Sequence, residues 1–306
     1  MRSSNQLIKS GYSTETALTR IQNDILRTID DGRCAALALL DLSAAFDTVD
    51  HNLLLARLEQ RFHITGKALS WLKSYLLGRT QFVRISNERS ASRELPCGVP
   101  QGSVLGPILY SMYTAPLADV IRQHGMDFHY YAVDTQVFPP FNPRAVDEQA
   151  STKASIEACI CGINKWMTAN KLLLNGDKTE FLVLNARHRP QPNIDSIQIG
   201  HDIIHASKSA KTIGVWLDST LSMDKQISTM CKSAFFHLHN IAKIRKYISL
   251  QHCEILLHAF VTAKLDYCNS LLCGLKKEKI QNFSMYRILL HGYDRNIFRA
   301  FLNNGI

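Results

Sequence analysis

The chain has 306 residues, of which 46% are hydrophobic and 20% are charged, and its formal net charge is +9. This composition favours a globular protein of two packed units over a disordered or fibrous one. No apolar run reaches the roughly 18 to 20 residues of a membrane span, and the polar N terminus lacks a secretory signal. We therefore expect a protein of the cytoplasm or nucleus that is not secreted, with eight cysteines as free thiols.

Positive charge is concentrated in the C-terminal part of the chain. From Lys225 to the end there are 12 Lys and Arg against 4 Asp and Glu, whereas residues 1–224 hold 23 against 22. Clustered cations favour contact with a polyanion, because phosphate neutralisation releases counterions. A solvated helical surface would give the same count, so charge alone leaves both interpretations open.

Residues 1–138 predict helices mixed with strands. Residues 32–46 form a continuous apolar run with Asp41 towards its end, typical of a buried strand with a carboxylate at its edge. Apolar residues spaced by three and four predict helices, and alternating apolar residues predict strands. The remaining predictions in this part are helices over 50–62, 66–79 and 104–125, a strand over 80–86 and a hairpin over 129–138.

The pattern becomes helical towards the end of the chain. The predictions here are a helix over 146–175, strands over 178–185 and 211–218, a hairpin over 196–206, and helices from 222 onward, including 224–248 and 250–268. Strands mixed with helices, followed by helices alone, predict an α+β domain with a helical appendage.

Two aspartates are candidates for chemistry. Asp41 lies on the first predicted strand and Asp134 on the hairpin turn, so a fold that pairs the hairpin with the strand would bring the carboxylates together. Such a pair suits Mg²⁺, which prefers oxygen ligands and accepts substrate phosphates. By itself, an aspartate at a strand end or turn is most often only a cap or a turn former.

Four segments occur in the order and spacing of a known family. They read LLDLSAAFDTVDH (39–51), GVPQGSVLGPILY (98–110), YYAVDTQVF (130–138) and LLLNGDKTEFLVL (172–184). They closely resemble the palm motifs of reverse transcriptases of the non-LTR (LINE-type) retrotransposons. The resemblance covers roughly residues 10 to 280.

The resemblance implies a fold and a division into domains. The fold would be an α+β polymerase palm of the split β-α-β, ferredoxin-like kind, with mostly missing fingers and a C-terminal helical thumb. The expected domains are a palm with partial fingers over 1–220, a basic thumb-like region over 221–281 and a divergent tail over 282–306. A truncated and partly degenerate copy of an element would have this organisation.

The resemblance also implies roles for individual residues. Asp41 and Asp134 would be catalytic and would bind Mg²⁺ or Mn²⁺. The substrates would be an RNA template, a DNA primer and deoxynucleoside triphosphates. The residues that match substrate-binding positions are Phe46 under the incoming sugar, Gln101 and Gly102 at the template and nascent base pair, Tyr131 beside the metal site, and Lys178 near the pyrophosphate path.

Val133 departs from the family pattern. The segment from Tyr131 to Asp134 matches the family's Tyr-Ala-Asp-Asp box, in which the first aspartate binds metal, and Val133 stands at that position. A valine supplies no oxygen ligand and no negative charge, so weaker metal binding and impaired RNA-directed DNA polymerase activity are expected.

Other interpretations remain open. The chain could be a non-catalytic nucleic-acid-binding remnant, or a pseudogene product without function. A zinc cluster of cysteines and histidines between Cys231 and His258 is disfavoured, because no CxxC pair occurs and the histidines fall on different helix faces. No P-loop or Rossmann motif supports another kind of nucleotide binding.

Overall fold

The computed structural model describes residues 13–43, 45–131, 134–200 and 202–275. The described chain forms two compact units: residues 28–207 make up the first, and residues 14–27 with 208–275 make up the second. The domain boundary expected after residue 220 rests on motif resemblance and stays a prediction.

Helices and strands are numbered in chain order. The helices are α1 (Thr14–Asp30), α2 (His51–Gln60), α3 (Gly66–Leu76), α4 (Gly106–Thr114), α5 (Leu117–Gln123), α6 (Val146–Ala169), α7 (Asp224–Ile244), α8 (Leu250–Leu257) and α9 (Ala263–Asp266). The strands are β1 (Cys34–Ser43), β2 (Thr80–Gln81), β3 (Arg84–Ile85), β4 (Glu88–Arg89), β5 (Arg93–Glu94), β6 (Phe128–Tyr131), β7 (Asp134–Val137), β8 (Pro140–Phe141), β9 (Leu173–Leu184), β10 (Ser196–Ile199), β11 (Asp202–His205), β12 (Ser209–Thr212) and β13 (Val215–Asp218). Shorter turns are 3-10 at Arg245–Tyr247 and Asn269–Leu272, and π-helical at His258–Thr262.

Strand β1 is the centre of the main sheet. Strands β7 and β8 pair with it antiparallel on one side in the same register, and β9 pairs with it antiparallel on the other. Strand β6 extends the sheet beyond β7 as the first strand of a hairpin. The seven residues from Cys34 to Leu40 are all buried, so the continuous apolar run matches a strand that is covered on both faces.

The core of the first unit forms where α6 and α4 pack with this sheet. Helix α6 buries residues spaced by three and four, among them Ile156, Cys159, Ile160, Ile163 and Met167. Helix α4 adds Leu109, Tyr110 and Tyr113 to the same cluster. Helix α2 begins after Asp50, whose side chain accepts a hydrogen bond of 2.9 Å from the Leu53 backbone N–H.

Several sequence predictions are confirmed. The fold class is α+β, the buried strand containing Asp41 is β1, and the hairpins predicted over 129–138 and 196–206 are present. Between Asp224 and the last described residue, 275, the chain is mainly helical, as expected. In the described part of the chain, no helix is long and apolar enough to cross a membrane.

Two helix predictions were too long. The helix predicted over 104–125 is divided into α4 and α5, with Pro116 between them, because proline lacks the N–H and the backbone freedom that a continuing helix needs. The helix predicted over 146–175 ends at Ala169, and Lys171 then adopts a left-handed φ of 57°. Strand β9 therefore begins at Leu173, earlier than the predicted start at 178.

Two strand predictions missed a chain reversal. The strand predicted over 211–218 is divided into β12 and β13 by a turn at Ile213 and Gly214, both with positive φ. The strand predicted over 80–86 is one side of an exposed hairpin, in which β2 pairs with β5 and β3 with β4. Over 211–218 the alternation of apolar residues runs through the turn, so the pattern conceals it, whereas the residues that return in the arm are polar and gave no strand signal.

The second unit is built around α7. Its buried residues, which include Met230, Cys231, Ala234 and Ile241, form an apolar side of this helix. The N-terminal helix joins this unit through hydrogen bonds to the chain around Ser270, whose backbone N–H donates to Glu15 at 3.0 Å. The bond to Ser270 is the main reason that the pKa of Glu15 is lowered.

Candidate active site

Asp41 and Asp134 lie at the same end of the paired strands β1 and β7. The strands pair Leu39 with Gln136 and Leu40 with Thr135, and the next pair in this register is Asp41 and Asp134. Both residues are partly exposed. The two candidate catalytic residues, which are distant in sequence, are therefore neighbours across the sheet.

The two carboxylates influence each other electrostatically. Burial, followed by the negative charge of Asp41, raises the pKa of the Asp134 carboxyl above its ordinary value. Because Asp41 and Asp134 are neighbours, ionisation of both carboxyl groups is unfavourable unless a bound cation compensates their negative charges. The pair therefore has the electrostatic character of a cation site.

Lys178 lies beside Asp41. Its Nζ is 3.7 Å from Asp41 Oδ2, and its side chain is 70% exposed. A register shift in the β1–β9 pairing, between Leu39 and Asp41, accompanies this approach: Asp41 pairs with Asn175, and Leu39 with Glu180. An exposed ion pair of this length contributes little to stability, so Lys178 can leave Asp41 and pair with another anion.

Phe46 packs on Tyr110, a tyrosine of α4. The ring centroids of Phe46 and Tyr110 are 4.9 Å apart. The Tyr110 hydroxyl is buried and has no hydrogen-bond partner in the described part of the chain. Burial, then Tyr113, then Asp41 raise the pKa of Tyr110 far above its ordinary value. Tyr110 thus packs on Phe46 and is influenced electrostatically by Asp41, which the sequence alone did not predict.

The loop with Gln101 and Gly102 is bound to the segment after Phe46. The Gln101 Nε2 donates hydrogen bonds of 2.9 and 3.0 Å to the two carboxylate oxygens of Asp47. The Val99 N–H donates to the Phe46 carbonyl, and the Gly98 N–H to the Val49 carbonyl. The loop and the segment after β1 thus form one hydrogen-bonded structure, and the role of Asp47 in it, like that of Tyr110 beside Phe46, was not predicted from the sequence.

Two glycines of this loop have different surroundings. Gly98 has a φ of 90°, and a Cβ at this position would lie 3.0 Å from the Asp47 carbonyl oxygen. Gly102 has a φ of 76°, and a Cβ there would have no described atom within 4 Å. Close approach of backbone within the chain therefore requires glycine at 98, whereas Gly102 borders open space and is exposed.

Tyr131 pairs with Asp134 at the end of the β6–β7 hairpin and is half-buried. Ala132 and Val133 connect these two residues in sequence and lie outside the described residues. In the described part of the chain, no group of three His, Cys, Asp or Glu side chains could hold a metal ion. The two carboxylates are thus the candidate protein ligands at this site.

A sequence profile described as "Reverse transcriptase (RNA-dependent DNA polymerase)" matches residues 5–217, more than half of the chain. The chain belongs to the reverse transcriptase family. All seven predicted site residues lie within the matched part of this reverse transcriptase domain.

Curated relatives place the reverse transcriptase domain among those of non-LTR, LINE-type elements. It is 27% identical over 238 residues to a probable RNA-directed DNA polymerase from transposon BS of Drosophila melanogaster, covering 76% of this chain and 25% of that protein. It is 26% identical over 225 residues to the RNA-directed DNA polymerase from mobile element jockey of the same organism, covering 72% and 23%. The chain spans about a quarter of the length of these relatives.

The fold of the reverse transcriptase domain also resembles a solved structure. It superposes on telomerase from Candida tropicalis, solved in complex with a TWJ fragment of telomeric RNA, with a TM-score of 0.51. The match has 11% sequence identity and covers 94% of this chain and 47% of that one. The likeness supports a palm-like α+β fold for the chain.

Proposed function

We propose that this reverse transcriptase domain retains the substrate-binding framework of an RNA-directed DNA polymerase but is impaired in nucleotide transfer. Its substrates would be an RNA template, a DNA primer and deoxynucleoside triphosphates. Asp41 and Asp134 would be the remaining metal ligands. The impairment comes from Val133, which stands where the family has a metal-binding aspartate.

The observation that supports this proposal is the electrostatic coupling of Asp41 and Asp134. The negative charge of Asp41 contributes to the raised pKa of Asp134. A bound cation would relieve this repulsion, and two carboxylates suit one Mg²⁺ or Mn²⁺ that keeps waters and substrate phosphates as its other ligands. When bound, the metal ion would stabilise negative charge on the transferring phosphate.

Val133 limits what this pair can hold. Two dications close together need several shared anionic ligands, and a valine adds neither an oxygen nor a charge. The described residues offer two carboxylates at the site and no third metal-binding side chain beside them. Lys178 also places a positive charge 3.7 Å from Asp41, which competes with a cation. Metal affinity and transfer rate are therefore low.

The remaining residues would bind substrate. Phe46, held against Tyr110, would pack under the sugar, and Lys178 would interact with the departing pyrophosphate. Gln101, oriented by Asp47, would position the template, with Gly102 presenting backbone to the nascent base pair. Tyr131 would hold the hairpin end beside Asp134. These roles, the domain division at 220 and 281, and a cytoplasmic or nuclear location belong to the proposal.

Primer extension tests the proposal. A DNA primer on an RNA template is incubated with Mg²⁺ or Mn²⁺ and either the unmodified chain, Val133→Asp or Val133→Asn. We expect extension near background for the unmodified chain and for Val133→Asn, and recovery for Val133→Asp, because only aspartate restores an anionic ligand. Adding Asp41→Asn to Val133→Asp should abolish the recovery.

A metal-binding measurement separates damage at Val133 from damage elsewhere. Mn²⁺ titration followed by electron paramagnetic resonance should show at least about ten-fold tighter binding by Val133→Asp than by Val133→Asn. Clear extension by the unmodified chain, equal to that by Val133→Asp, would contradict the proposed impairment, and silence of both would contradict its assignment to Val133 alone. Equal Mn²⁺ affinity of the two variants would contradict the assignment of Val133 to the metal site.

A second candidate function is nucleic-acid binding without catalysis. In the second unit, basic residues outnumber acidic ones from Lys225 to Leu275, and Phe235, Phe236 and Tyr247 are 48%, 63% and 76% exposed. Exposed aromatics among cations are typical of nucleic-acid-binding surfaces. Affinity for an RNA:DNA hybrid should then fall steeply with salt and be independent of Asp41.

A further inference from the structure

The hairpin of residues 79–95, which we call the hairpin arm, is the most exposed part of the first unit. Its strands pair Thr80 with Glu94 and Arg84 with Arg89, and Ser86 at its turn has a left-handed φ of 54°. Every residue from 80 to 94 is exposed. In the described chain its strands pair only with each other, so little packing fixes the arm.

The arm has an unfavourable charge arrangement. Arg84 and Arg89 are directly opposite each other, so their side chains emerge from the same face of the hairpin. Like charges in such a cross-strand pair destabilise the hairpin. Neither guanidinium forms an ion pair with a carboxylate of the described residues. The arm thus presents two uncompensated cations to solvent.

An aromatic ring supports one of these cations. The guanidinium carbon of Arg89 lies 3.6 Å from the centroid of the Phe82 ring, and Phe82 is 46% exposed. This cation–π contact restricts the arginine before any ligand arrives, which lowers the entropy that binding must overcome. Arg84 is restrained by a hydrogen bond of 3.1 Å from its Nε to the Ser86 carbonyl.

We propose that the hairpin arm binds the phosphate backbone of a nucleic-acid strand through Arg84 and Arg89. Phosphate oxygens would accept hydrogen bonds from both guanidinium groups and remove the repulsion between them. Contacts of this kind position a strand without reading its bases, so binding is independent of sequence. Arg79 and Arg93, at the base of the arm, extend the positive surface.

Charge favours this partner over a second copy of the chain. The arm's exposed strand edges could pair with another arm. Two such arms, each with four arginines against Glu88 and Glu94, would however repel each other, whereas a polyanion is attracted. That this strand would be the RNA template rests on the proposed function, but its binding to the arm does not involve Asp41 or Asp134.

Fluorescence anisotropy with a labelled single-stranded RNA of mixed sequence tests the proposal on the full chain. Arg84→Gln/Arg89→Gln is compared with Lys165→Gln/Arg187→Gln, which removes the same charge from exposed positions outside the arm. We expect about ten-fold weaker binding for the arm variant at low salt, and a slope of log K against log salt reduced by about 1.4. The control should lose less than about three-fold.

Two further measurements make the result decisive. Asp41→Asn should bind the RNA like the unmodified chain, so that failure of the catalytic proposal and failure of the arm proposal are distinguishable. Circular dichroism should show the same fold for both double variants. Equal losses in the two double variants, or no loss in the arm variant, would overturn the proposal. So would sedimentation showing an arm-dependent dimer with unchanged RNA affinity.

Discussion

Two β-hairpins of the first unit lie in opposite environments. The β6–β7 hairpin is mostly buried and pairs with β1, whereas the hairpin arm is wholly exposed and pairs only with itself within the described chain. In the β6–β7 hairpin, β-branched or aromatic residues stand on both sides of the turn, whereas in the arm they stand only before it. The pattern therefore predicts the β6–β7 hairpin, but only one strand of the arm, and tertiary contacts decide whether a hairpin is part of the core.

The difference has a functional consequence. A site that depends on the separation of Asp41 and Asp134 needs strands fixed by packing, and β7 is fixed between β6 and β1. A surface that contacts a phosphate backbone at many positions tolerates movement, and the arm is suited to that use. The proposed catalytic and backbone-binding roles match the rigid and the exposed hairpin respectively.

A matched pair of valines gives the largest expected difference between the hairpins. Val137 on β7 is 0% exposed, and Val83 on the arm is 64% exposed. Val137→Ala should lower the free energy of unfolding by about 2 to 3 kcal/mol, because it removes buried methyl groups and leaves a cavity. Val83→Ala should change it by less than about 0.5 kcal/mol. Urea denaturation measures both, and similar losses would contradict the comparison.

A matched pair of glycines extends the comparison to the loop at the site. Gly98→Ala should cost roughly 2 kcal/mol or more, because alanine is strained at positive φ and its Cβ crowds the Asp47 carbonyl. Gly102→Ala should cost only about 1 kcal/mol, from the φ of 76° alone. Thermal unfolding tests the order, and an equal or larger loss at Gly102 would contradict it.

The local pattern of apolar residues was sufficient to predict the elements that keep a regular helical or strand spacing in the fold. The apolar run of β1 predicted burial on both faces, and alternation around residues 129–138 predicted the β6–β7 hairpin. The same pattern failed to locate turns and helix ends, because these depend on the backbone conformation of single residues. Lys171 ends α6 in a left-handed conformation, and the LLLN sequence that follows fits a helix as well as a strand.

The candidate site could be predicted only in part, because it is built by contacts between residues that are distant in sequence. Asp41 and Asp134 are distant in sequence, so their pairing depends on the sheet register, which the family resemblance implied and spacing alone did not. The contacts of Asp47 with Gln101 and of Tyr110 with Phe46 are also long-range. Asp47 and Tyr110 fall inside the quoted motifs, which was the available signal, but no local rule distinguishes them from their neighbours.

The ionisation of Asp134 on β7 should make the stability of the protein depend on pH. Its raised folded-state pKa means that the unfolded chain releases this proton at lower pH than the folded chain does. The unmodified chain, free of metal, should therefore lose stability as pH rises from the unfolded pKa of about 3.9 through the folded pKa. Asp134→Asn should remove this loss and be more stable than the unmodified chain at pH 7, by less than the Val137→Ala effect.

Thermal unfolding in a metal chelator, followed across acid and neutral pH, measures this change. Asp177→Asn, at an exposed position of β9, is the control and should leave the pH dependence almost unchanged. If the melting temperatures of Asp134→Asn and the unmodified chain differed by the same amount at every pH, ionisation of Asp134 would not be the cause of the pH dependence.

The smallest expected effect concerns the arm in the absence of nucleic acid. Arg84→Gln removes one member of the opposed arginine pair, so it should leave stability unchanged or raise it by a few tenths of a kcal/mol. The gain should shrink with added salt, because screening already weakens repulsion between exposed charges. Arg61→Gln, which removes an arginine 2.8 Å from Asp119, should not raise stability. A clear loss on Arg84→Gln would mean that the arginine stabilises the free hairpin, and that the uncompensated charge we assign to phosphate binding is already satisfied within the chain.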